Sequence, residues 1–296
     1  MTLAPRVVVV TRPTPFEELL ARHATRQQAE FFLKQRGQNL ETVERDHQRA
    51  KQAVHEVQAT IPLDWRRNLV LRHELDRFLF EPEDTVVIVG QDGLVANVAK
   101  YLEGQPVVGI NPTPDLFDGV LVPHTPREGC RRLLAAGRRD FSREDRTMVE
   151  VELDDGQKLC ALNELFVGQR THQSARYELA LGERHAVHSS SGVIISTGTG
   201  ATGWAHSIQL ERHSSLVLPK PTARQLAYFV REAFPSIATS TDLTEGTVAA
   251  DEALAITSRM EDGVIFGDGI ETDHLRFQWG TEARLRVAAK TLCLVK

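Results

Sequence analysis

Arg6 to Thr11 carries four consecutive valines, and an unbroken apolar run of that length reads as a strand buried on both faces of a parallel sheet. Thr85 to Val89 and Pro106 to Ile110 repeat the pattern, and Leu94 to Leu102 between them has the length and apolar content of a helix. This is a strand, loop, helix, strand unit whose crossover is expected to be right-handed. From Arg12 to about Thr60 the chain is polar and charge-rich instead. Within that stretch Val43, Ala50, Val54 and Val57 recur at helical spacing as a narrow apolar stripe, and Gly37 divides it into two helices, for which packing on the sheet is favoured over a dimerisation arm.

From about Glu128 the period changes. Met148 to Leu153 alternates apolar and charged residues, Asp155-Gly156 supplies a turn, and Lys158 to Phe166 resumes as strand. Further short strands are expected at Tyr177 to Leu181, Val193 to Ser196, Val248 to Thr257, Gly263 to Phe266, Leu275 to Trp279 and Arg284 to Ala288, which suggests a sandwich-like β domain. The chain thus divides into an α/β domain with a parallel sheet over residues 1–127 and a mainly β domain over 128–296. The C-terminal segment is a candidate to return to the first domain.

Composition narrows the function classes. A chain of 296 residues, 41% hydrophobic and 25% charged, has ample material for a folded core. Its net charge of −5 disfavours a nucleic-acid partner, Arg131-Arg132 and Arg138-Arg139 reading as solvated surface. No apolar run approaches the roughly 20 residues that span a bilayer, so no membrane association is expected. Three widely separated cysteines, Cys130, Cys160 and Cys293, suggest reduced thiols in a cytoplasm. None of the eleven histidines has the paired spacing of a zinc helix, and no metal-ligating residues are assigned.

The chemistry concentrates in two runs. Val86-Val87-Ile88-Val89-Gly90-Gln91-Asp92-Gly93 is a strand ending in a glycine-flanked carboxylate, placed where open α/β sheets bind ligands. Glycine loops let main-chain N–H groups approach phosphate, a helix start favours anions, and a nearby carboxylate can orient an attacking hydroxyl. The second run joins Ala161-Leu162-Asn163-Glu164 to Ser196-Thr197-Gly198-Thr199-Gly200-Ala201-Thr202-Gly203-Trp204.

Together these motifs, in this order, resemble the signature of the NAD kinases: a Gly-Gly-Asp-Gly loop, an Asn-Glu pair, and a Ser/Thr/Gly-rich turn ending in an aromatic residue. The Gly-Thr-Gly form, Ser189-Ser190-Ser191-Gly192, Asn163 to Gly168, the valine run and Asp268-Gly269 look closest to the mitochondrial-type branch. The resemblance implies the two-domain NAD kinase-like fold and ATP-dependent phosphorylation of the adenosine 2′-hydroxyl of NAD to NADP. It implies Mg²⁺ held mainly by the donor phosphates, and a homo-oligomer, with a dimer favoured. It makes Asp92 the catalytic residue, with nucleotide contacts at Gly90, Gly93, Asn163, Glu164, Thr199, Thr202, Gly203, Trp204 and Ser207.

Three positions depart from the pattern. Gln91 stands where the second glycine belongs, Leu94 replaces a threonine, and Ser191 replaces an aspartate. A side chain at 91 is expected to narrow the donor channel, and a positive φ at this position would strain it. A non-catalytic dinucleotide-binding homologue and a related kinase for another hydroxyl acceptor are the competing functions. The segment Gly198 to Gly203 also matches the G-x-G-x-x-G fingerprint of dinucleotide-binding dehydrogenases. That motif needs an acidic residue about 20 positions on, whereas Glu211 comes too early and Glu232 too late.

Overall fold

The computed structural model describes residues 4–296 and divides the chain into two compact units. The first runs to Glu144 and takes in Cys293–Lys296, and the second is Asp145–Leu292. The division falls after 144 rather than at 127, because the helix Pro126–Gly137 buries Leu133 and Ala136 in the core of the first unit beside Val89 and Ile110.

The first unit contains β1 (Arg6–Thr11), α1 (Pro15–His23), α2 (Arg26–Lys34), α3 (Leu40–Thr60), β2 (Arg66–Leu71), β3 (Thr85–Val89), α4 (Asp92–Ala99), β4 (Pro106–Ile110) and α5 (Pro126–Gly137). Its strands lie parallel in the order β2, β1, β3, β4, and Cys293 and Leu294 add a further parallel pairing to β4. The valine run is buried on both faces as its pattern requires, with Val7 and Val9 in a cluster with Ala53, Val57 and Leu133. The polar stretch holds three helices, not two. One break comes at Gly37, with φ +67°, and the other at Ala24-Thr25, where Thr25 caps α2 by accepting from the Gln28 N–H. A threonine N-cap carries little signal in a stretch so polar. The predicted helix Leu94 to Leu102 begins earlier, at Asp92, and its residues Leu94 to Ala99 are all buried.

The second unit contains β5 (Arg143–Leu153, beginning just before the division), β6 (Lys158–Ala161), β7 (Glu164–Gln169), β8 (Ala175–Leu181), β9 (Arg184–Ser190), β10 (Val193–Ser196), α6 (Trp204–Arg212), β11 (Gln225–Val230), β12 (Glu245–Ala249), β13 (Leu254–Ser258), β14 (Gly263–Gly267), β15 (His274–Arg276) and β16 (Glu282–Val295, entering the first unit at Cys293). One antiparallel sheet runs β16, β13, β8, β9, and the other runs β12, β11, β10, β7, β14, β15. Tyr177, Leu179, Ile256 and Leu285 of the first meet Val167, Ile195, Tyr228 and Ile265 of the second in one core. The helix α6 covers the outer face of the second sheet through Ala205 and Ile208 against Ile194, Ala227 and Phe229.

Two expected strands are each divided, and both divisions matter for position. Val248 to Thr257 is β12 and β13, which lie in different sheets. Lys158 to Phe166 is β6 and β7, separated by Leu162-Asn163. Local apolar content does not reveal a change of sheet, since each half still sends apolar residues inward, Ala161 and Leu165 in one case and Val248 and Leu254 in the other.

Close backbone packing sets the loop after β4. A side chain on Gly109 would place its Cβ 2.0 Å from the Leu121 carbonyl oxygen, whereas one on Gly93 would meet nothing within 4 Å. Gly109→Ala is therefore expected to destabilise the protein by about 1–3 kcal/mol through overpacking, and Gly93→Ala to change stability by less than about 1 kcal/mol. Denaturant unfolding of the two variants compares them, and equal midpoints would contradict the packing assigned to Gly109.

Candidate functional site

In the first unit Asp92 opens α4 at the carboxyl end of β3. Its Oδ1 accepts from the main-chain N–H groups of Leu121 at 2.8 Å and Val122 at 3.2 Å, and its Oδ2 from that of Val120 at 3.0 Å. The carboxylate thus ties the loop after β4 to the start of α4. A carboxylate offers about four acceptor positions, and Oδ2, with one bond, retains room for a hydroxyl.

Gly90 and Gly93 have different roles in this loop. The Gly90 N–H donates to the Ile110 carbonyl at 3.0 Å, and a Cβ there would lie 3.2 Å from Leu94 Cδ2. Sheet pairing and helix packing therefore occupy Gly90. Gly93 sits in open space in the first turn of α4, which has no side-chain cap. Gln91 has φ −105° and ψ 165°, an extended backbone without the positive φ that would have strained it. Its side chain reaches sideways, and its Oε1 accepts from the Arg12 guanidinium at 3.0 Å.

In the second unit Asn163 and Glu164 stand at the break between β6 and β7, directly beside the turn that leaves β10. Thr197 joins the two segments. Its N–H donates to the Asn163 carbonyl at 2.9 Å, and its hydroxyl donates to the Leu162 carbonyl at 2.6 Å while accepting from the N–H groups of Thr199 and Gly200. A Cβ on Gly200 would lie 2.3 Å from the Asn163 carbonyl oxygen, and one on Gly198 would lie 2.0 Å from that of Lys220. Both glycines permit close approach of backbone to backbone, and β10 lies between antiparallel neighbours. This is not the parallel βαβ setting that a dinucleotide-binding dehydrogenase turn requires.

Asp268, with φ +53° after β14, accepts from the N–H groups of Leu162 at 3.0 Å and Asn163 at 2.7 Å. Sequence reasoning noted Asp268-Gly269 without finding this contact, whose local signal is an Asp-Gly turn directly after a strand. Burial, reinforced by the charge of Asp268, pushes the Glu164 carboxyl up to about 7. The Asn163 side chain makes no hydrogen bond to a described residue. Thr199 is buried, and its hydroxyl oxygen has no hydrogen-bond partner. Thr202 and Ser207 are exposed at the start of α6, bonded only to the carbonyls of Thr199 and Gly203. Gly203 precedes α6 with φ −114° and ψ −115°.

Trp204 is about one-third exposed and stacks on Phe166, ring centroids 6.1 Å apart and planes within 8°. The Arg231 guanidinium lies 5.2 Å from its ring centre. These residues line a cavity of about 630 Å³ that also includes Phe266 and His274. Phe166 reads from the sequence as core, being an apolar residue in a strand, and Arg231, one residue beyond the end of β11, carries no local signal of its place beside Trp204. Thus Asn163, Glu164, Thr199, Thr202, Gly203, Trp204 and Ser207 cluster in the second unit around one turn, and Gly90, Asp92 and Gly93 belong to the first.

No family model matches the sequence. The chain is similar to an NAD kinase of Chloroherpeton thalassium, 26% identical over 147 residues that make up 48% of this chain and 50% of the relative. It spans about half the length of that curated relative. In structure it is similar to an NAD kinase from Archaeoglobus fulgidus in complex with ATP, with a TM-score of 0.61 over 98% of this chain and 93% of that one, at 18% identity. The chain has the NAD kinase fold. In that fold the α/β unit carries the Asp92 loop, and the antiparallel unit carries Asn163-Glu164 and the turn before Trp204.

The Glu164 carboxyl gives a pH signature. Its value rises from 4.5 in the unfolded chain to about 7 in the folded one. The native state therefore binds the proton more tightly, and stability is lost as pH rises from about 4.5 to 7, by about 3 kcal/mol in full. Glu164→Gln is expected to remove this component. Unfolding free energies of both proteins at intervals from pH 4.5 to 8 measure it, and parallel curves would refute it.

Proposed function

We propose that this chain is an NAD kinase-type phosphotransferase, transferring the γ-phosphoryl group of ATP to the adenosine 2′-hydroxyl of NAD and releasing ADP and NADP. The observation that carries the reading is Asp92: a carboxylate at a parallel-strand end, anchored through three main-chain N–H groups, with Oδ2 left able to accept one more bond. Phosphoryl transfer depends on positioning and charge stabilisation, so a rigidly held carboxylate that takes the hydroxyl proton is the principal side-chain requirement. The hydroxyl oxygen bonds to phosphorus as the bond to ADP breaks, and the proton passes to Asp92.

The dinucleotide is assigned to the second unit. Asn163 has a free amide for a base or ribose, and Glu164 is poised to act as donor or acceptor near neutral pH. The unpartnered Thr199 hydroxyl, together with Thr202, Gly203 and Ser207 at the start of α6, suits the polar parts of the ligand. Trp204 offers a ring face. In the first unit Gly93 leaves open space for phosphate, while Gly90 serves the loop's shape.

Among the described residues no three His, Cys, Asp or Glu side chains gather at metal-binding distances. Mg²⁺ would therefore enter on the donor's phosphates, whose oxygens are hard ligands of the kind it prefers. No helix of the described residues is long and apolar enough to cross a membrane, and a cytoplasmic location with reduced cysteines is part of the proposal. So is a homodimer, for which the exposed Phe234 and Ile237 of the second unit offer apolar surface. Light scattering on the purified protein reads the oligomeric state.

Purified protein with ATP, Mg²⁺ and NAD is expected to form NADP. Asp92→Asn is expected to lower turnover by about two to four orders of magnitude with NAD affinity nearly unchanged. Saturable NAD binding without turnover in the unaltered protein would instead establish the non-catalytic alternative.

A further inference from the structure

The residue that departs most from the glycine loop also makes an unusual contact. Gln91 is exposed, extended and unstrained, and its amide oxygen holds the Arg12 guanidinium at 3.0 Å. We propose that Arg12 is the donor-phosphate ligand of this chain and that Gln91 is its positioning residue; the proposal rests on the kinase reading above.

Topology places Arg12 at the position where a sheet of this kind binds ligands. The strand β1 pairs with β2 on one side and β3 on the other, so connections leave it in opposite directions and open a crevice beyond the carboxyl ends of β1 and β3. Arg12 follows the last residue of β1, and Gln91 lies two residues beyond the end of β3. Thr11 ties the two strand ends by donating from its hydroxyl to the Val89 carbonyl at 3.3 Å. Pro13 restricts Arg12 to extended backbone, which limits the directions its side chain can take. The crevice is a cavity of about 390 Å³ that includes Arg12, Gly90 and Gln91.

Charge and position together point to the same residue. Five arginines of this unit are held by carboxylates, Arg6 by Asp84, Arg26 by Glu44, Arg49 by Asp115, Arg66 by Glu81 and Arg139 by Glu83, and of the arginines outside such pairs Arg12 is the one that lines this crevice. Among the described residues no carboxylate lies within ion-pairing distance of Arg12. A neutral amide orients the guanidinium without cancelling its charge, and two or more of its N–H donors remain for an anion. A second glycine at 91 would offer a bare backbone; glutamine there brings a cation to the rim. The carboxylate lining the cavity, Asp46, suits a sugar hydroxyl and not a phosphate, so the phosphates belong at the Arg12 end.

The test is calorimetry on the full chain with Mg²⁺ and either ADP or inorganic tripolyphosphate. Arg12→Ala is expected to weaken both probes by about 10- to 100-fold, the worth of a charge-assisted bond to phosphate. Gln91→Ala and Gln91→Gly are expected to weaken both by a smaller factor, with no further loss when either is combined with Arg12→Ala. Thermal midpoints within a degree or two of the unaltered protein accompany these changes, which separates positioning from lost structure. Arg12→Ala binding both probes normally overturns the proposal. Loss of ADP affinity alone places Arg12 on the nucleoside and overturns the phosphate assignment, and additive effects at 91 and 12 overturn the positioning role. A gain of affinity in Gln91→Gly means that glutamine blocks the crevice, which also overturns it. If the unaltered protein binds neither probe, the kinase reading itself fails.

Discussion

A carboxylate that gathers main-chain N–H groups organises the candidate loops of each unit. Asp92 takes three such groups from Val120 to Val122, and Asp268 takes two from Leu162 and Asn163. Main-chain donors cannot be mutated away, and an ionised acceptor strengthens each bond relative to a neutral one. In both cases the loop gains a fixed shape without regular secondary structure. Through Asp268 the Asn163 carbonyl is placed to receive the Thr197 N–H, and through Thr197 the turn before α6 takes its course.

This arrangement makes one residue expensive. Glu164 must share a half-buried space with Asp268, and the charge it would carry in water is opposed by burial and by its neighbour. The stability lost by holding Glu164 there is a recurrent feature of sites that bind polar ligands, where groups are placed for a partner and not for the free protein. Thr199, buried with its hydroxyl oxygen unbonded, is a second case in the same turn.

The glycines show how one residue type serves several needs. Gly109, Gly198 and Gly200 are required because another backbone lies where a side chain would be, whereas Gly93 faces open space. Only the last has the freedom expected of a residue that admits a phosphate. A glycine-rich string therefore marks close approach, but whether the approaching group is a ligand or the protein's own carbonyl depends on the surrounding chain.

Sequence by itself determined that β1 is buried on both faces, because four valines in a row have only one favourable place, and the strands expected at Thr85–Val89, Pro106–Ile110 and Val193–Ser196 form as β3, β4 and β10. It also determined the two-part architecture, from the change of hydrophobic period, and drew attention to Asn163, Glu164 and the turn from Thr199 to Trp204, though not to Phe166 or Arg231 beside them. Tertiary structure alone decided what those residues touch. Asp268 lies about a hundred positions from Asn163, and Arg12 is 79 positions from Gln91, so no local period reports either contact. The divisions at Leu162-Asn163 and between β12 and β13 were equally hidden, since a strand that changes sheets stays apolar on both sides of the change. Local pattern records whether a residue is buried; partners distant in the chain are chosen by the packing of the whole unit.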